Sequence, residues 1–98
     1  MNHSFESIKN YLLKQGFEYE GNSFVKIQHR QQLVVVNGQQ HQIVQEVKIE
    51  FAYLGDGYVE NSNGVQEETC GMSLKVNDQV LVEVWARDAK DFVHLLSA

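Results

Sequence analysis

The stretch QQHQIVQEVKIEFAYL, Gln39 to Leu54, decides the fold. Taken in steps of two, Ile43, Val47, Ile49, Phe51 and Tyr53 fall on one side. Glu46, Lys48, Glu50, Ala52 and Leu54 fall on the other. Apolar residues alternating with charges define a strand with one buried face. At about 3.3 Å per residue, Ile43 to Leu54 alone would span a small domain. Such a strand belongs at the centre of an antiparallel sheet and is expected to bend or bulge, with Gln45 the expected position.

Elements on either side follow from local signals. Phe5, Ile8, Tyr11 and Leu12 form an apolar helical stripe over residues 3–15, with Ser4 as the expected N-cap. Gly16 suits the left-handed C′ position, and Phe17 suits the apolar residue that folds back after it. Short strands are expected at Phe17–Glu20 and Phe24–Gln28, around Gly21-Asn22-Ser23. Leu33–Val36 leads into Asn37-Gly38, a type I′ turn signal that pairs this run with the start of the long strand.

Gly55-Asp56-Gly57 predicts a turn after Leu54, and Asn61-Ser62-Asn63-Gly64 predicts another. Val65–Thr69 reads as an extended arm or a loop. Two alternating runs, Cys70–Val76 and Val80–Arg87, flank Asn77-Asp78 as a second hairpin. Asp88 is placed to cap a last helix whose stripe is Ala89, Phe92, Val93 and Leu96. The expected class is α+β: one domain over residues 1–98, a twisted antiparallel sheet of five or more strands, and both terminal helices on one face.

Composition narrows the function. With 98 residues, 43% of them hydrophobic, the chain can build a compact core. Thirteen acidic against eight basic residues, net charge -5, argue against nucleic acid and anionic membranes as partners. The single cysteine, Cys70, excludes an internal disulfide framework and a multi-cysteine zinc site. Met1–Phe5 lacks the start of a signal peptide, and no apolar run reaches the roughly 20 residues of a membrane span. The cytoplasm is therefore the expected location.

No catalytic, metal-binding or cofactor-binding constellation stands out. Asp56, Glu60, Glu67 and Glu68 supply oxygens, but their order does not match a calcium loop. Cys70 lacks a nucleophile signature, and His29, His41 and His94 are scattered. Trp85 alternates with the apolar side of its strand, which places it on the open sheet face with Leu81, Arg87 and Leu54. A register slip of one residue would bury it instead.

Aromatics beside arginine are enriched where proteins meet, so the expected function is a non-catalytic module that binds a protein partner or a second copy through that face. Two alternatives come from other classes. One is a small-molecule-binding protein or enzyme with a pocket between the sheet and loop 55–68, using Asp56, Tyr58, Glu60 and Cys70. The other is an acidic inhibitor of a nucleic-acid-binding protein, for which the charge is compatible.

Overall fold

A computed structural model describes residues 2–97. Helix α1 (His3–Lys14) leads into β1 (Glu18–Glu20), β2 (Ser23–Val36), β3 (Gln39–Glu60), β4 (Gln66–Val76) and β5 (Gln79–Ala86), and helix α2 (Ala89–Ser97) closes the chain. The five strands form one antiparallel meander in sequence order. This is the α+β architecture expected, with both helices on one face of the sheet.

The core is the contact between that face and the two helices. Phe5, Ile8 and Leu12 of α1 and Phe92 of α2 are fully or almost fully buried against Phe24, Phe51, Cys70, Met72, Val84 and Ala86 of the sheet. Aromatic rings dominate it. Phe5 meets the Tyr53 ring edge-on at 4.9 Å, Phe92 meets Phe51 in the same way at 5.1 Å, and Tyr19 stacks on Phe24 at 4.5 Å. Edge-on and offset geometries add attraction to the area buried.

The helix ends are tied by side chains. Asn2, not Ser4, caps α1: its carboxamide oxygen accepts from Phe5 N–H at 2.9 Å. Ser4 lies inside the first turn, and its hydroxyl donates to the Glu68 carbonyl. Asn2 Nδ2 donates to the Thr69 carbonyl and His3 N–H to the Glu68 carboxylate, so the start of α1 is bolted to β4 at three points. Gly16 adopts φ 90°, and Phe17 N–H returns to the Leu12 carbonyl, as the Gly-Phe pair predicts. Asp88 caps α2 through Asp91 N–H.

The strands are longer than the sequence signals imply. Phe24–Gln28 and Leu33–Val36 are parts of one strand, β2, paired without a break to β3 from Ser23↔Ala52 to Val36↔Gln39. Asn37 and Gly38 both have positive φ, the type I′ geometry expected. Gly55-Asp56-Gly57 is not a turn. The β3–β4 register shifts between Tyr53 and Gly55, so the bulge sits at Leu54 rather than Gln45, and β3 continues to Glu60. The region read as loop 55–68 is therefore the end of a hairpin, closed by residues 61–65. Asn61 Oδ1 holds that turn by accepting from Asn63 and Val65 N–H.

Phe5 touches three aromatic rings and is completely buried. The Phe5→Ala variant is expected to lose about 3–5 kcal/mol of stability, measured by urea denaturation.

Candidate functional site

Two exposed surfaces result from this layout. The first is the face away from the helices, carried by β3, β4 and β5. Trp85 lies on it opposite Gly71, and its parity is the reverse of buried Val84 and Ala86. The ring sits on a window of two glycines. A Cβ at Gly71 would lie 2.7 Å from Trp85 Cη2, and one at Gly57 would lie 3.0 Å from Cζ3. One side of the indole is thus seated on the backbone while the residue stays 47% exposed. Leu81 and Leu54 are also exposed, each next to an irregularity in the ladder.

Arg87 is held rather than loose. Its guanidinium reaches Glu67 at 3.2 Å and Asp91 at 3.3 Å. The Glu67 carboxyl is lowered below its ordinary range by the Asn61 amide and then by Arg87. Asp91 is lowered chiefly by the Arg87 backbone N–H. This cluster ties the end of β5, α2 and the start of β4 together, and it holds Arg87 as a fixed positive group beside the helices.

The residues proposed for a pocket do not converge on one cavity. Cys70 is fully buried, and burial pushes its thiol up to about 12, which leaves no thiolate near neutral pH. Asp56 accepts from the Tyr53 hydroxyl at 2.5 Å. Tyr58 and Glu60 are exposed near the end of the hairpin. A shallow hollow of about 390 Å³ beside Trp85 includes Asp56 and Tyr58 but neither Glu60 nor Cys70. A second hollow, about 360 Å³ and more apolar, opens under the helices between Phe17, Ile49, Leu74 and Phe92. Among the described residues, no three acidic, histidine or cysteine side chains could hold a metal ion. His29 instead lies 3.8 Å from Glu46 across the β2–β3 ladder.

The second surface is the outer half of the β2–β3 hairpin, which sequence reading treated only as a hairpin decorated with glutamines. β1 pairs with β2 only through Ser23–Val25, and β4 pairs with β3 no further out than Ile49. Beyond those points the two strands run on as a bare ribbon in a molecule 65 Å long. Residues 27–46 are exposed except for half-buried Val34. Leu33 and Val35 are 68% and 69% exposed, and Ile27, Val36, Ile43 and Val44 are also exposed. In the sequence this stretch is only an apolar run, Leu33 followed by the β-branched Val34–Val36; its exposure comes from where the neighbouring strands end.

Comparison of the chain with protein-family models, curated proteins and solved structures finds no match in any of the three. Among the described residues, no helix is long and apolar enough to cross a membrane.

Trp85 is the sole tryptophan, so its fluorescence reports this window alone. Gly71→Ala is expected to lift the indole from the sheet, shifting emission to the red while far-ultraviolet circular dichroism stays unchanged. Asp56 raises the Tyr53 hydroxyl to about 12, first by their hydrogen bond and then by burial and charge. The protonated phenol is the bonded form, so its stabilising contribution is complete below about pH 10 and is lost as pH rises through about 12. Tyrosinate absorbance should therefore show one late-ionising tyrosine, which Asp56→Asn returns towards the ordinary value.

Proposed function

We propose that the chain is a protein-interaction module that works through its sheet, with the projecting β2–β3 ribbon as its main contact surface. One observation carries this reading. The ribbon exposes apolar side chains on both faces and unpaired backbone on both edges. A two-stranded ribbon standing alone in water is marginal, and exposed edges are ready templates for another chain. A stable partner would supply the missing strand and cover the valines, the mode by which extended segments add to sheets. The Trp85 window over Gly57 and Gly71 is a second contact surface on the same sheet, on which Leu54 of β3 and Leu81 of β5 are exposed as well. Binding requires no chemistry at either place, and the expected setting is the cytoplasm.

The test compares three tagged proteins in extract from the native cells: wild type, Leu33→Lys/Val35→Lys, and Trp85→Glu, each first shown to be folded by circular dichroism. A differently tagged second copy is included in every sample. Wild type is expected to retain a partner, or its own copy, that the ribbon variant loses at least tenfold. Retention unchanged in both variants would overturn the reading.

A further inference from the structure

We infer that the ribbon's occupant is a second copy of this chain, joined antiparallel through the outer edge of β2 with the two-fold axis at Gln31. The inference rests on the interaction-module reading above and supplies its partner.

The free edge of β2 begins after Val25, where β1 stops, and ends at Val36, where the turn begins. Its eleven residues, Lys26 to Val36, have Gln31 as their midpoint. An antiparallel strand can pair with its own copy about a two-fold axis, which closes the assembly at two chains. Centred on Gln31, the whole edge overlaps: Ile27 meets Val35, His29 meets Leu33, Gln28 meets Val34, Arg30 meets Gln32 and Lys26 meets Val36. No like charges stand opposite one another. Moving the axis one residue, to Arg30, would set two guanidinium groups face to face, which is destabilising.

The backbone is in phase with this register. Val36 and Gln39 flank a two-residue type I′ turn and form a hydrogen-bonded pair. Counting back by twos, even-numbered residues of β2 exchange bonds with β3, and odd-numbered ones direct N–H and C=O to the free edge. Ile27, His29, Gln31, Leu33 and Val35 therefore present their backbone to the partner, and each meets another odd-numbered residue.

Charge fits a self-pair as well. The chain carries -5, yet Arg30 is the only Lys, Arg, Asp or Glu between Gln28 and Gln45. Two copies can thus meet along the ribbon without bringing their acidic surfaces together. Edges that avoid pairing are usually guarded by lysine or proline. Here there is no proline, and Lys26 is engaged elsewhere: its ammonium donates to the Gln15 carbonyl at 2.7 Å and lies over the Phe17 ring. The β3 edge is the weaker candidate. It is shorter, Asn77 closes it at Lys48 through two hydrogen bonds, and Gln39 to Val47 has fewer apolar residues.

Eleven residues on each side fall below the 20–30 of a standard interface, so dissociation in the micromolar range is expected. Sedimentation equilibrium of the purified chain should show a mass rising with concentration from 11.2 kDa towards twice that value. Gln31→Pro removes an N–H that the monomer does not use, together with one exposed side-chain bond in which Gln31 Oε1 accepts from Gln42 at 2.7 Å, and should hold the mass at that of one chain while lowering the urea midpoint only slightly. Gln31→Cys, where paired Cα atoms would stand about 5.5 Å apart, should cross-link on oxidation, whereas Gln42→Cys on the β3 edge should not.

A dimer that persists in Gln31→Pro, or that cross-links only through Gln42→Cys, would overturn this interface. So would a wild type that stays monomeric into the hundreds of micromolar. In that last case the ribbon variant of the preceding experiment separates the two ideas. Loss of its partner would keep the interaction module and remove only the self-pairing, while no loss would remove both.

Discussion

The structure depends on a mismatch of lengths. β3 has 22 residues, and at about 3.3 Å each it extends roughly 70 Å. The two helices have 12 and 9 residues, and at 1.5 Å each they reach about 18 and 14 Å. The helices therefore cover only a fraction of the strand that threads the sheet. The core forms where they lie, over Phe24, Phe51, Met72 and Val84, and side chains further along β2 and β3 are left with nothing above them. The bare ribbon is the direct result of that geometry.

Two local devices keep the covered part rigid. Asn2 and Ser4 join the start of α1 to the carbonyls of β4, which fixes where Phe5 enters the aromatic cluster. On the other face, Gly57 and Gly71 clear a space that only an indole lying against backbone fills. Glycine in a strand weakens it unless another group makes close approach, and Trp85 is that group. The Arg87, Glu67 and Asp91 cluster then holds the last strand against α2. These contacts make the helix-bearing half a firm base from which the ribbon extends.

Much of the architecture was readable because its signals are local. The stripe of Phe5, Ile8 and Leu12, the Gly16-Phe17 stop, the Asn37-Gly38 and Asn77-Asp78 turns and the Asp88 cap each act within a few residues. Parity left Trp85 either on the open face or, one residue out of register, in the core; it pairs with Gly71 and alternates with buried Val84 and Ala86. The misreadings came from competition between local preference and pairing. Gly55-Asp56-Gly57 has turn composition, but the β4 ladder holds it extended, and the extra residue is absorbed as a bulge at Leu54. Gln28 to Gln32 interrupts the apolar alternation, yet the register with β3 runs through it unbroken.

Sequence by itself determined the order of helix, antiparallel sheet and helix, the hairpin turns at Asn37-Gly38 and Asn77-Asp78, and the apolar stripes of the two helices. All of these follow from periodicity and from backbone preferences that act between near neighbours. Only the tertiary structure decided how far each strand pairs. That depends on where β1 and β4 end beside their neighbours, a relation between residues such as Ile49 and Val76 that lie 27 positions apart. It also decided that Cys70 is sealed in the core, that Asp56 is tied to Tyr53, and that apolar residues at Leu33–Val36 stand in solvent. An apolar strand residue carries the same pattern whether or not a helix covers it, so exposure is settled by packing alone.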